Sequence, residues 1–245
     1  MRLIFVRHAE PDYSVDSLTP KGFREAEALA ARVAGWKGRV TACFCSPAGR
    51  AQATARPSLA ALGMEAETLG WMTEFTIGCH VHPDGSDERS WVPWNLFPDY
   101  WTADPRYTET DGWTDTDYLA AHAGVVGPRW EEVKAGIDAV LALYGYLRER
   151  AHYRVAPDAR RDATLLFFCH LGLAGAACGH VLHVSPMQLW QGFFLAPSSI
   201  TVLNSEERRA GVACFRCQAM GDTAHLLAAG IPTSAMGSFG EAFSG

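Results

Sequence analysis

The sequence has no apolar run approaching the roughly eighteen residues of a membrane span, and no block of like charge of the kind that marks a nucleic-acid arm. Positive charge is in deficit: 21 Lys and Arg stand against 27 Asp and Glu, for a net charge of −6. That balance argues against nucleic acid or an anionic membrane surface as a partner. No internal repeat is present, which excludes solenoids and propellers. A cysteine framework is missing too. The seven cysteines are an odd number, and Cys43, Cys45 and Cys169 sit inside apolar runs, where a free thiol behaves as a small hydrophobe. A reducing compartment fits this better than disulfides. With no targeting segment ahead of the first apolar run, the expected location is cytoplasmic. Cys214-Phe215-Arg216-Cys217 has CxxC spacing but no second pair, and period-two alternation in a strand accounts for it. Cys79-His80-Val81-His82 gathers ligand types in a Gly-flanked segment that reads as a loop.

What is present is an ordinary globular mix, 48% hydrophobic and 20% charged over 245 residues. This is enough for one domain with a substantial core. Strand and helix signals alternate, which predicts an α/β layer fold. Leu3-Ile4-Phe5-Val6 runs into Arg7-His8-Ala9-Glu10. Residues 40–45 run into Ser46-Pro47-Ala48-Gly49-Arg50, and residues 165–169 into His170-Leu171-Gly172. Short apolar runs closed by punctuation read as buried strands, and open α/β sheets bind ligands beyond the carboxyl ends of their strands. Three strands delivering Arg or His to that edge describe an anion site.

Helices are predicted from Thr19-Pro20, an N-cap with Pro at the first helical position, over 48–62, from Gly127-Pro128 through Trp130, Val133, Ile137, Val140, Tyr144 and Leu147, and over 173–182. Residues 199–204 and 211–219 read as two further strands that could pair as a hairpin. Between 78 and 127 the rhythm breaks. That stretch holds Trp91, Trp94, Phe97, Tyr100, Trp101, Tyr107, Trp113 and Tyr118, with nine acids against only Arg89 and Arg106. Such aromatic density is too high for a disordered linker, so it reads as a cap folded over the strand edge, inserted into a single domain of residues 1–245. Any one of its tryptophans serves the cap's own core sooner than the pocket, with at least one aromatic expected at the pocket. Surplus carboxylates at a mouth would repel polyanionic leaving groups. A Gly-, Ala- and Ser-rich stretch over 229–245 is compatible with a flexible tail.

Phosphoryl transfer needs an in-line nucleophile, neutralisation of the equatorial oxygens and a proton for the leaving oxygen. A neutral imidazole, with an unperturbed pKa of about 6.5, attacks well at neutral pH. Guanidinium forks match phosphate bidentately. A carboxylic acid supplies the proton if its surroundings keep that proton on. His8, Arg7, Arg50, His170 and Glu74, in Trp71-Met72-Thr73-Glu74-Phe75, offer each of these parts. Glu10 is the runner-up acid. His225 reads as structural, and His180 and His183, with no third ligand, as packing or surface residues.

These motifs resemble the histidine phosphatase superfamily, the phosphoglycerate-mutase-like group whose Arg-His-Gly signature reads Arg7-His8-Ala9 here. Ser46-Pro47-Ala48-Gly49-Arg50-Ala51-Gln52-Ala53-Thr54, Phe168-Cys169-His170, Pro197-Ser198-Ser199-Ile200-Thr201-Val202-Leu203 and Gly221-Asp222-Thr223-Ala224-His225-Leu226 extend the likeness, in order, over 1–77 and 128–228. The resemblance implies a three-layer α/β/α sandwich with a central, mostly parallel sheet. It also implies a phosphohistidine intermediate on His8, a phosphate pocket of Arg7, Arg50 and His170, Glu74 as proton donor, and no metal or organic cofactor.

Three positions depart from the pattern. Ala9 replaces the usual glycine, Leu171 follows His170 where glycine is common, and Ser14 stands where many members place a phosphate-touching asparagine. The activity so implied is that of a phosphoric monoester hydrolase of the histidine acid phosphatase type, acting on a small-molecule phosphate ester. A homodimer is left open. The alternatives are a phosphomutase, which Phe75-Thr76-Ile77-Gly78 does not resemble, and a protein phosphohistidine or phosphotyrosine phosphatase. A non-catalytic binding module would have lost a pocket residue, and none is lost.

Overall fold

In chain order the elements are β1 (Arg2–Arg7), the short pair β2 (Pro11–Asp12) and β3 (Ser17–Leu18), α1 (Pro20–Ala34), β4 (Ala42–Cys45), α2 (Gly49–Leu62) and β5 (Ala66–Thr68). Then come α3 (Pro98–Ala103), α4 (Asp117–Ala120), α5 (Ala123–Leu143), the pair β6 (Tyr146–Glu149) and β7 (His152–Val155), and β8 (Thr164–Cys169). The last elements among the described residues are α6 (Leu171–Leu182), α7 (Pro186–Gly192), the hairpin β9 (Ile200–Arg209) and β10 (Val212–Asp222), and α8 (Ala224–Ala228). This is a computed structural model, and it describes residues 1–76, 92, 94, 96–120, 123–238 and 240. Cys79, His80, His82, Asp84, Asp87, Glu88, Arg89 and Trp91 lie outside the described residues. Among the described residues no helix is long and apolar enough to cross a membrane.

Eight strands form one mixed sheet in the order β5-β4-β8-β1-β9-β10-β7-β6. The first four run parallel, and every later pairing is antiparallel. Strand alternation makes the three layers. Leu3, Phe5, Phe44, Leu165 and Phe167 face a core built with α5, α6 and α7. Their neighbours Ile4, Val6, Cys43, Cys45, Leu166 and Phe168 face a second core built with Leu29 and Val33 of α1 and Ala51, Ala55 and Leu62 of α2. Phe5, Phe167 and Phe44 stack across three adjacent strands at 4.9 and 5.0 Å. Each such pair adds about 0.5–1.5 kcal/mol beyond the area it buries. That spine holds the parallel strand ends in register beneath the site.

Local chemistry sets most element ends. Thr19 caps α1 by accepting the Gly22 N–H, with Pro20 at the first helical position. Two boundaries differ from the sequence pattern. Helix α5 begins at Ala123, running through Pro128, and stops at Leu143, so Leu147 falls in β6 rather than on the helix. Gly145 is the reason: its φ of +83° breaks the helix, and a Cβ there would lie 2.7 Å from Ala159. Apolar spacing alone does not reveal that a helix pattern has run on into a strand.

The described part of the 78–127 insertion is a set of short helical turns built on aromatics. Tyr107 and Trp113 are fully buried, and Trp113 packs against Phe75, Trp130 and Trp190 at 6.1, 5.7 and 5.4 Å. Trp101 is partly buried against the same core. The acids there turn onto neighbouring donors: Asp104 and Asp117 pair with Arg106, and Asp111 binds Lys134 and the Trp130 indole N–H. The described carboxylates of these pairs are therefore engaged within the cap and α5.

Candidate active site

The parallel strands deliver the site. Register pairs Arg7 with Cys169 and Cys45 with Phe168. The ladder then runs one step further, with His8 N–H donating to the Cys169 carbonyl and Ser46 N–H to the Phe168 carbonyl. His8, His170 and Ser46 thus leave adjacent strand ends side by side, and the His8 and His170 ring centroids stand 5.2 Å apart.

His8 is 1% exposed, and its Nδ1 lies 2.8 Å from the Ala9 carbonyl oxygen. A carbonyl only accepts, so Nδ1 carries the hydrogen and Nε2 keeps its lone pair. Burial, seconded by the Arg7 cation, pushes the His8 pKa down to about 3. The ring is therefore a neutral base at neutral pH. Arg7, also buried, donates from Nη1 to the Leu195 carbonyl at 2.6 Å. Burial lowers its pKa to about 10, which leaves it charged.

Arg50 starts α2 and splits its fork. Nη1 meets Asp16 at 2.6 Å, and Nη2 donates to His170 Nδ1 at 3.2 Å. Since arginine cannot accept, His170 Nδ1 is the bare nitrogen and Nε2–H donates to Ser46 Oγ at 2.7 Å. Burial first, then His8 and Arg50, holds His170 down at about 2. The Nε atoms of Arg7 and Arg50 are buried without a hydrogen-bond partner. Buried donors are rarely left so, and two orphaned guanidinium N–H groups ask for an anion's oxygens.

Glu74 stands across the pocket, below the first turn of α6. Its Oε1 accepts the Phe75 and Leu173 N–H groups at 2.7 and 3.0 Å. Burial raises its pKa, against the pull of those N–H groups and Arg7. A protonated Glu74 therefore carries its hydrogen on Oε2. Gly172 permits this approach, because a Cβ there would lie 2.7 Å from Oε1 and 2.3 Å from the Trp94 ring. Among the described residues of the insertion, Trp94 reaches the site.

The structure brings Arg7, His8, Arg50, His170 and Glu74 together and sets the other candidates apart. Glu10 accepts from the Thr19 hydroxyl at 2.9 Å, pairs with Lys21 at 3.3 Å, and so belongs to the α1 N-terminus. Ser14 is exposed and bonds Asp12 at 2.5 Å. Ala9 turns its methyl into a small cluster with Leu18 and Ala26, not into the pocket. His225 Nε2 meets Ser198 Oγ at 3.1 Å, and His180 meets Asp138 at 2.8 Å. Cys214 and Cys217 lie on β10 with unlike exposure, as strand alternation dictates. Among the described residues no group of three or more His, Cys, Asp or Glu is placed to hold a metal.

Sequence reasoning passed over the supports. Thr54 Oγ accepts the Ala9 N–H at 2.9 Å, buried Glu25 accepts the Glu10 N–H at 2.8 Å, and Ser198 N–H donates to the His8 carbonyl at 3.1 Å. Asp16 had no signal beyond its place in a polar loop. The stretch from 229 also turns back on the site, burying Ser234 and setting Gly237 beside Arg7.

A family model described as histidine phosphatase superfamily (branch 1) matches residues 3–218. The chain belongs to that superfamily. No curated protein matches it. Solved structures share its fold. One is a histidine-to-alanine mutant of phosphoserine phosphatase from Entamoeba histolytica in complex with phosphoserine, with a TM-score of 0.59 at 18% identity, covering 92% of this chain and 98% of that one. A mycobacterial glucosyl-3-phosphoglycerate phosphatase gives 0.55 at 18%, covering 90% and 98%. An open reading frame from Mycobacterium tuberculosis gives 0.57 at 15%, covering 90% and 96%. In this chain the shared fold is the mixed sheet flanked by helices.

Proposed function

We propose that this superfamily member is a phosphomonoesterase that hydrolyses a small-molecule phosphate ester through a phosphohistidine on His8. The observation that carries the reading is the buried, neutral His8 with its Nε2 lone pair free, beside two guanidinium groups whose Nε atoms lack partners. In the first step Nε2 attacks phosphorus and the bond to the ester oxygen breaks. Arg7 and Arg50 neutralise the equatorial oxygens, and His170, accepting from Arg50 Nη2, holds that guanidinium in place. Glu74 gives its proton to the departing oxygen, which leaves as an alcohol. In the second step the Glu74 carboxylate takes a proton from water as that water attacks phosphorus. The P–N bond breaks, and Nε2 recovers its lone pair.

Two features support the finer points. A nucleophile held near pKa 3 stays unprotonated in mild acid, which favours the acid phosphatase type of hydrolase. The fold neighbours named for phosphoserine and glucosyl-3-phosphoglycerate favour a small ester. The test is His8→Ala. Turnover of an aryl phosphate and any acid-labile phosphoenzyme should vanish while the melting transition survives. Undiminished turnover in that variant would sink the assignment.

A further inference from the structure

Beside the phosphate pocket opens a cleft of about 180 Å³ whose walls are Trp94, Leu171, Trp190, Phe193 and Phe194. Gln191, Gly192, Gly237 and Ser238 also line it, and among the described lining residues no side chain is charged. Phe193 and Phe194 are 51% and 36% exposed, unusual for phenylalanines beside a buried polar site. The one polar atom of the Trp190 indole is already engaged, donating to the Gly172 carbonyl at 2.9 Å, so the ring offers apolar surface.

Three connections join the cleft to the reacting groups. Phe194 immediately precedes Leu195, whose carbonyl holds Arg7. Gly237 lines the cleft and lies against Arg7, so that a Cβ there would lie 3.0 Å from Arg7 Nη2 and 3.4 Å from the Leu171 side chain. The Trp94 ring and Glu74 Oε1 abut the same point on Gly172. The leaving oxygen must reach Glu74 to collect its proton, so the group it carries is directed along Trp94.

We propose that this cleft is the leaving-group subsite and that it takes a single flat apolar ring, making the substrate an aryl or arylalkyl phosphate monoester. The proposal rests on the phosphatase reading above. A dry apolar cavity of about 150 Å³ takes up benzene, so the volume suits one ring. With no charged side chain among its described lining residues, the cleft offers no counter-ion to a charged amino-acid or glycerate leaving group, whose desolvation would go largely uncompensated.

The comparison that isolates the ring is 2-phenylethyl phosphate against ethyl phosphate, because the two leaving alcohols are of similar acidity. We expect kcat/KM to favour the phenyl ester by roughly ten- to a hundredfold, the worth of one buried ring. Phe194→Ala should bring that ratio toward one. Gly192→Phe should do the same by filling the cleft, since a Cβ at Gly192 meets nothing within 4 Å. Calorimetry with 2-phenylethylphosphonate and ethylphosphonate separates this proposal from the phosphatase reading, because it needs no turnover. Tighter binding of the phenyl compound, lost in Phe194→Ala and lost with both ligands in Arg50→Ala, supports the cleft even if neither ester is hydrolysed. Equal kcat/KM and equal affinity in the unaltered protein overturn it. So does a ring preference that survives in both Phe194→Ala and Gly192→Phe, or ring-dependent binding that persists in Arg50→Ala.

Discussion

Arg50 donates to His170 Nδ1 across 3.2 Å, so a permanent cation occupies the nitrogen that a proton would otherwise take. Together with burial this fixes His170 as a neutral Nε2–H tautomer, pointing at Ser46 Oγ. His8 is fixed in the opposite tautomer by the Ala9 carbonyl. Nitrogen-detected NMR on the ligand-free protein should therefore show two neutral rings of opposite tautomer, with no midpoint for either between pH 5 and 8. A His8 or His170 resonance titrating near 6.5 would contradict the burial-driven depression.

Much of this pocket was readable in the chain, because its members sit at or close after the ends of strands that announce themselves. An apolar run with an Arg or a His at its end needs no long-range information: Arg7, His8 and His170 satisfy that rule, and Arg50 comes one short loop after β4, in the first turn of α2. Glu74 comes a turn after β5 and was legible only as a carboxyl of the right kind, to which the resemblance added its place; its two N–H donors come from its own turn and from α6. The supporting residues were illegible for the same reason. Thr54 and Glu25 lie on helices whose packing against residues 9 and 10 depends on the assembled sheet. The antiparallel half of the sheet was partly hidden, since β6 and β7 are four residues each: β6 lacks alternation, and the alternation of Tyr153 and Val155 in β7 is too short to mark a strand.

Glu25 makes stability depend on pH in an unusual sense. Burial raises its pKa from 4.5 to about 7, so the folded state keeps a proton that the unfolded chain releases. That contribution is complete below about 4.5 and is lost as pH rises through 7. His8, His170 and His225 run the other way. Burial depresses them from 6.5 to about 3, 2 and 4, so their contribution is present above 6.5 and lost as pH falls. Three groups outweigh one, and Tm should drop between pH 6.5 and 4.5. Glu25→Gln keeps the acceptor for the Glu10 N–H but removes the buried charge. It should raise Tm at pH 8 by a few degrees, at about 2–4 °C per kcal/mol, and steepen the acid fall. Scanning calorimetry at pH 8 and pH 5 decides it, and a larger loss at pH 8 than at pH 5 refutes the argument.

Ser198 adopts φ of +58°, a left-handed conformation that costs a serine roughly 1–2 kcal/mol. His225 Nε2 holds its hydroxyl at 3.1 Å, and its N–H holds the His8 carbonyl at the same distance. The histidine is thus a positioning residue, two hydrogen bonds from the nucleophile. His225→Ala should lower kcat about tenfold with KM within about twofold, the cost of one buried hydrogen bond. Ser198→Asn, which tolerates the left-handed region, should retain more activity than Ser198→Val. Steady-state kinetics of the three variants suffice, and a KM-only effect of His225→Ala would argue for substrate contact instead.

Glu74 is held by two backbone donors on Oε1, and burial raises its pKa, so protonation of Oε2 leaves one hydrogen to give. Glu74→Gln retains the size and an acceptor for those donors while removing the transferable proton. General acid catalysis is worth about 10²–10⁴ in rate where the leaving oxygen is strongly basic. The variant should therefore lose roughly that factor in kcat on 2-phenylethyl phosphate, and far less on 4-nitrophenyl phosphate, whose phenolate departs without protonation. The logarithm of the loss should rise with leaving-group pKa across a series of esters. A uniform loss over the series would mean that Glu74 shapes the pocket without giving a proton, and Glu10, tied to Lys21 and Thr19, would then have to break those contacts to serve.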